Sequence, residues 1–288
     1  MSKSIDTLIP DIYRLLETKE IPEGVDIDAQ CEAFGRAMAD VLRGQLTPDE
    51  DRSGRLRLSG IGKPDRKLHL SYGGNEGEPL RGATFLKFLY GHLTEAMVLA
   101  LVECSGHTVR DQQKEVEVSG IKGHIDGYID DILMDVKSCS SFGFKKFQKH
   151  TLHEDDPFGY IPQLRSYAYA EGQTRYGWLA FDKQNGSLAW LEYDEEDTTA
   201  HYAGALDWDV EQRAVDVKKL VHGPLPETCY DPVPDGKSGN MKLASGCAYC
   251  EHKATCWPDM RVFHYSNGPR YFTTVVKEPQ VMEIPDAF

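Results

Sequence analysis

The sequence predicts a mixed α/β fold, a central sheet flanked by helices. Three observations predict it. Residues 121–129 and 132–137 read as the two strands of a hairpin turning at Asp130-Asp131. Residues 83–104 carry apolar side chains at helical spacing. A helix over 160–171 separates that hairpin from a second one, 176–181 with 188–193, so strands and helices alternate along the chain.

Taken in order, residues 5–17 and 27–44 are amphipathic helices broken at Pro22-Glu23-Gly24, a helical N-terminal arm over 1–55. Cys31 on the second of them reads as a core position. Residues 45–55 are polar and charged, a linker, and residues 64–82 are Gly-rich and read as loop. Phe85, Phe88, Leu89, His92, Ala96, Leu99 and Val102 then follow helical spacing and predict a buried helix, with Glu95 near its middle. A carboxylate there is costly unless paired or bound to a metal, although a water-facing Glu95 is the ordinary alternative. Strands follow over 106–118, where Lys114 to Val118 alternates as in a half-buried strand. Pro162 suits the first turn of the 160–171 helix, and Lys183-Gln184-Asn185-Gly186 turns the second hairpin. Residues 196–220 suit a long polar helix. A core domain thus spans 56–225, a cysteine segment 226–262, and an extended acidic tail 263–288.

Side chains alternate across a strand, so Asp135 and Lys137 share a face, with Val136 turned to the core. Asp126 faces them from the first strand if the register allows. A magnesium ion takes oxygen ligands in near-octahedral geometry. Asp126, Asp135 and the Val136 carbonyl can supply them, and an ion there would polarise a phosphate and acidify water held by Lys137. Asp-x-Lys is common by chance, so spacing alone leaves an ordinary hairpin with an acidic turn equally open. Gln163 and Tyr167, four apart, share a helix face. An amide and a phenol there could contact DNA, and core packing of Tyr167 is the plainer reading.

In this order, Glu95, Gly-x-x-Asp126, Asp135-x-Lys137 and Gln163-x-x-x-Tyr167 resemble the PD-(D/E)XK nuclease superfamily. Within it they look like the RecB-like and lambda-type (phage) exonucleases, over roughly residues 56–257. The resemblance implies a restriction-endonuclease-like core and a metal-dependent deoxyribonuclease leaving 5′-phosphate and 3′-hydroxyl ends, in phage-type recombination or DNA processing. By position, Glu95, Asp126, Asp135 and the Val136 carbonyl would bind Mg²⁺ or Mn²⁺. Lys137 would position the attacking water, and Gln163 and Tyr167 would lie near the DNA. Asp135 stands where many members carry Glu. A single-strand annealing protein is the partner implied. Ring-shaped trimers occur in the branch, so a homo-oligomer is an open expectation.

Three of the seven cysteines form Cys247-x2-Cys250-x5-Cys256. Thiolates at that spacing can converge on one ion or cluster. The triplet is similar to that of branch members holding a [4Fe–4S] cluster, which draw a fourth cysteine from upstream of the Glu95 helix. Lys63 stands there in this chain. Cys229, 18 positions before Cys247, is the expected replacement and His252 the second choice, with [4Fe–4S] and Zn²⁺ both open. The group would staple the C-terminal segment to the core. Cys104 and Cys139 read as packed thiols. No secretory signal is evident, so a reducing, cytoplasmic setting in a bacterial or phage-infected cell is expected. No stretch of about 18 apolar residues stands out, so no membrane span is expected.

A net charge of −14 argues against broad adhesion to nucleic acid. A local patch is available in Lys145, Lys146 and Lys149, interleaved with Phe144 and Phe147, whose faces could stack on bases. Arg165 would add a DNA contact, and Lys63, Arg66 and Lys67 form a second basic run. A solvated basic helix face explains the first patch equally well. Two other functions stay open: a catalytically silent nucleic-acid- or protein-binding module with a structural metal site, and an endonuclease of the same superfamily.

Overall fold

The structure is a computed structural model that describes residues 3–47, 55–75, 77–79, 82–196 and 209–285. Its helices are α1 (Leu8–Thr18), α2 (Ile27–Leu46), α3 (Asp65–Tyr72), α4 (Gly82–Cys104), α5 (Ser141–Gln148), α6 (Tyr160–Glu171), α7 (Val210–Leu220), α8 (Ser245–Ala248) and α9 (Lys253–Cys256). Its strands are β1 (Val109–Arg110), β2 (Glu115–Val118), β3 (Ile121–His124), β4 (Gly127–Ile129), β5 (Ile132–Cys139), β6 (Arg175–Asp182), β7 (Leu188–Asp194), β8 (Val233–Pro234), β9 (Met241–Lys242), β10 (Arg261–Tyr265) and β11 (Gly268–Thr274).

The chain divides into two compact units, Met1–Gly62 with Arg81–Val215, and Lys63–Leu80 with Asp216–Phe288. The first is built on a five-stranded mixed sheet in the order β1-β4-β5-β6-β7. Strands β5 and β6 are parallel, and α5 and α6 lie on the connection between them. The other pairs are antiparallel. Strands β2 and β3 form a separate hairpin. The turn joining β4 to β5 is two residues long. Asp130 and Asp131 sit there at φ +46° and +70°, the left-handed pair that matches strand twist in a tight hairpin. Asp130 offsets the strain with its side chain, which accepts from the Thr108 amide and hydroxyl at 3.1 and 3.2 Å and meets His107 Nδ1 at 2.5 Å. The other ring nitrogen of His107 lies 3.2 Å from Asp11 on α1. One face of the sheet packs Ile129, Met134, Val136 and Leu179 against Val98, Leu99 and Val102 of α4 and Leu8 and Ile12 of α1. Full burial of each such side chain contributes about 1.5–3 kcal/mol.

Several expectations are corrected. Helix α1 is not part of a separate arm, since Leu8 and Ile12 are wholly buried in this core. Cys31 is exposed, because α2 packs on α4 yet buries none of its residues completely. The Gly-rich stretch at 64–82 contains α3, a two-turn helix that begins right after Pro64. The 83–104 helix is present, but only its C-terminal half reaches the core. Leu86 is 66% and Phe88 48% exposed, so apolar composition overstated burial. This helix is also long and apolar enough to cross a membrane by length and composition, where no such stretch was expected. The tail beyond 263 is not extended coil: β10 and β11 form a hairpin in a four-stranded antiparallel sheet ordered β10-β11-β9-β8, the frame of the second unit. Of the helix expected over 196–220, the described part is α7, and residues 197–208 lie outside the described residues, as do 48–54 of the expected linker.

Candidate active site

Antiparallel pairing ends at Gly127 against Met134, so Asp126 and Asp135 are the next residues at the mouth of the hairpin. Asp126 does not continue β4. Its Oδ2 turns inward and accepts the Val136 amide at 2.7 Å. Asp135 sits mid-strand in β5, flanked by β4 and by β6, and is 1% exposed. Lys137 lies two residues on, on the same face, and its Nζ stands 2.5 Å from Asp135 Oδ2. Lys137 is thus the partner of Oδ2, a charge-assisted contact in a buried site. Asp135 Oδ1 accepts from Gln163 Nε2 at 3.3 Å, and the same amide lies 3.4 Å from the Tyr167 hydroxyl.

Helix α6 is aimed at this cluster by its N-terminus. Gly159 takes the left-handed conformation, and the Asp156 carboxylate accepts the amides of Tyr160 and Ile161 at 3.0 and 2.8 Å. Two orphan donors are thereby satisfied. Pro162 falls in the first turn, where a missing N–H costs nothing. Gly123 of β3 makes room for Tyr167, because a Cβ there would stand 2.6 Å from the Tyr167 ring. Tyr167 is buried, so its packing role and its place in the cluster coincide.

Glu95 approaches from α4. Its Oε1 accepts from Gln113 Nε2 at 3.0 Å, and its Oε2 lies 3.9 Å from His92 Nδ1. The carboxylates feel one another. Burial, then Asp135 and Glu95, hold Asp126 well above the usual carboxylate range. Burial also raises Asp135, against the opposing pull of Lys137. Burial works against the charge on Lys137, but Asp135 and Asp126 outweigh it and raise its pKa, so it stays an ammonium at neutral pH.

Sequence reasoning overlooked Tyr160 and Gln113. Tyr160 precedes Gln163 by one turn, so 160, 163 and 167 form a single stripe on α6, a signal that was available. Its ring lies under Lys137 Nζ at 4.9 Å, and burial pushes its phenol up to about 12. Gln113, at a left-handed bend before β2, carried no such signal.

The expected DNA contacts do not gather at the cluster. Lys145 and Lys149 point to solvent, while Lys146 binds the backbone and carboxylate of Asp155. Phe144 and Phe147 are buried and cannot stack on bases, because they are the face that docks α5 on the sheet. Arg165 is on the side of α6 opposite Gln163, ion-paired with Glu195 at 3.0 Å.

In the second unit, Cys229, Cys247, Cys250 and Cys256 influence one another. Burial, then Cys229 and Cys250, push Cys247 up to about 11. Cations border the group: Arg66 Nε lies 3.2 Å from Cys256 Sγ, and Lys67 pairs with Glu251 beside Cys250 at 3.3 Å. The basic run of Lys63, Arg66 and Lys67 therefore belongs to this unit. His252 is buried, with Nε2 3.1 Å from Ser71 Oγ and Nδ1 lacking a partner. Cys139 is a buried thiol raised by burial to about 11. Among the described residues, no three His, Cys, Asp or Glu side chains are arranged to hold an ion as they stand. In the first unit Lys137 occupies the place of positive charge beside Asp135. The donor chemistry still suits a hard cation there: two buried carboxylates, Asp126 and Asp135, whose charge burial disfavours. The thiol group of the second unit suits a thiophilic one.

No family model and no curated protein matches the chain. Among solved structures it is similar to an alkaline exonuclease from Laribacter hongkongensis, at 14% identity and TM-score 0.39, over 59% of this chain and 91% of that one. The same enzyme in complex with dAMP gives 14% and 0.38 over 59% and 91%. A phage-related exonuclease from Haemophilus somnus gives 14% and 0.38 over 58% and 93%. Likeness this slight leaves the chemistry to be read from the residues above.

Proposed function

We propose that this chain is a divalent-cation-dependent deoxyribonuclease that removes nucleotides from DNA ends, leaving 5′-phosphate and 3′-hydroxyl products. The convergence of Asp126, Asp135, Lys137 and Gln163 at the mouth of one hairpin carries this reading. Asp126 and Asp135, with Glu95 and the Val136 carbonyl, would hold Mg²⁺ or Mn²⁺. When bound, such an ion polarises the scissile phosphate and acidifies water. Each residue has a distinct task. The Val136 amide orients Asp126, and Gln163 with Lys137 orients Asp135. Lys137 remains protonated, so it serves as a donor that orients water and offsets the charge developing on the phosphate rather than as the base. Tyr167 and Tyr160 pack beside Gln163 and Lys137 and fix where those two side chains stand.

The four cysteines would bind an iron–sulfur cluster or zinc that staples the second unit. The iron and zinc content and visible absorbance of anaerobically purified protein decide between them. A setting in phage-type recombination, with an annealing partner, follows from the motif resemblance.

Digestion of linear against circular duplex, with and without EDTA, tests the reading. Linear DNA should be degraded, circular DNA spared, and EDTA should stop the reaction. Degradation of circular DNA would make the protein an endonuclease. Normal digestion by both Asp126→Ala and Lys137→Ala would overturn the assignment.

A further inference from the structure

Beyond Lys137, the carboxyl ends of the parallel strands β5 and β6 border a cavity of about 200 Å³. Crevices at this end of parallel strands are where open α/β sheets receive ligands. The cavity has an aromatic wall. Phe147 and Tyr160 form its depth, with centroids 6.0 Å apart, and Phe158 forms its rim. Phe158 stacks on Tyr160 at 5.5 Å with 27° between planes, yet remains 66% exposed. One of its faces is therefore supported and the other open. Lys137 also lies over the Tyr160 ring, at 4.9 Å, so the rim stands one ring away from the carboxylate cluster.

Charge decides what the cavity would accept. Two cations and two carboxylates line it. Lys146 is bound to Asp155, Asp156 is spent on the first amides of α6, and Lys183 is exposed. The lining is close to neutral, which gives little selection for a phosphate and suits an uncharged planar ring. Ser138, next to Lys137, adds a half-buried hydroxyl. We propose that this cavity takes the nucleobase adjoining the scissile phosphate, stacked on Phe158 without regard to its identity. Every base offers a π-face, so such a site serves an enzyme that must pass along any sequence. The proposal rests on the nuclease reading.

Binding of a fluorescein-labelled oligonucleotide, followed by anisotropy in EDTA, tests it beside digestion in Mg²⁺. Phe158→Ala should weaken binding about tenfold, roughly 1.4 kcal/mol. Phe158→Trp should match or exceed the native chain. Phe158→Leu keeps the apolar bulk, and it should lose affinity at an unchanged melting temperature, which separates stacking from folding. An abasic residue walked along the strand should reproduce the loss at one position in the native protein and add nothing there in Phe158→Ala. Native affinity in Phe158→Ala, or additive losses at every position, overturns the stacking site while native digestion leaves the nuclease reading standing. A native protein that neither binds nor digests DNA overturns both.

Discussion

Burial and its acidic neighbours raise the pKa of Asp126, and the consequences are measurable. Its folded pKa is raised, so the protonated form is favoured on folding. That contribution to stability is present below the unfolded value near 4 and is lost as pH rises through the folded value. Metal-free protein should therefore melt lower at pH 7 than at pH 5 by more than Asp126→Asn does. Mn²⁺ or Mg²⁺ should restore the native chain, and not the variant, at pH 7. Scanning fluorimetry at both pH values checks this, and parallel pH profiles for the two proteins would contradict it. Lys137 gives a second prediction. Replacing its ammonium by the apolar Lys137→Met should slow digestion about 10²–10³-fold, as for loss of one preorganised donor. At this scale the sequence was legible where alternation and spacing do the placing: Asp135 and Lys137 by strand period, Gln163 and Tyr167 by helix period. Tyr160 shared that period and was passed over. The Asp126–Val136 amide contact was hidden, since it depends on the chain leaving β4 one residue early.

Among elements, the β4–β5 hairpin is the part on which the site depends, and two substitutions probe its supports. Gly123→Ala would force a Cβ against Tyr167 and Leu58, at 2.6 and 3.0 Å, an overpacking that costs about 1–3 kcal/mol. His107→Ala would remove the ring that links Asp130 and Asp11 and leave those two hydrogen bonds unmade, at about 1–3 kcal/mol. Urea midpoints measure both, and a shift too small to resolve would show that the hairpin is held by its ladder alone. The helices and hairpins with strong periods, 160–171 and 176–193, were legible to within a residue or two. Strands β8 to β11 were not: two are only two residues long, and the others, in a stretch rich in Tyr, Phe and Arg, show no clean alternation. Helix α4 was legible in extent and misread in burial, because an apolar side chain says nothing about whether a neighbour exists to cover it.

At the scale of the molecule, a net charge of −14 must be reconciled with a polyanionic substrate. Most of the expected cations are already paired, which leaves Lys145 and Lys149 on the outer face of α5. If they touch phosphates, Lys145→Glu with Lys149→Glu should weaken DNA binding at low salt and flatten the dependence of log K on log salt by about two. An unchanged slope, read by anisotropy across a salt series, would assign DNA attraction elsewhere. The division into two units was only half legible. The cysteine spacing announced a separate centre, but nothing local tells that residues 63–80 leave one unit for the other.

The place of α1 under the central sheet has a practical consequence. Leu8 and Ile12 belong to the buried cluster that includes Val136, the residue between Asp135 and Lys137, and α1 packs on α4 and β7. A recombinant fragment begun at residue 56, where composition invites the cut, would remove Leu8 and Ile12 from that cluster and uncover α4 and β7. Such a truncation should emerge insoluble or proteolysed rather than as a trimmed enzyme.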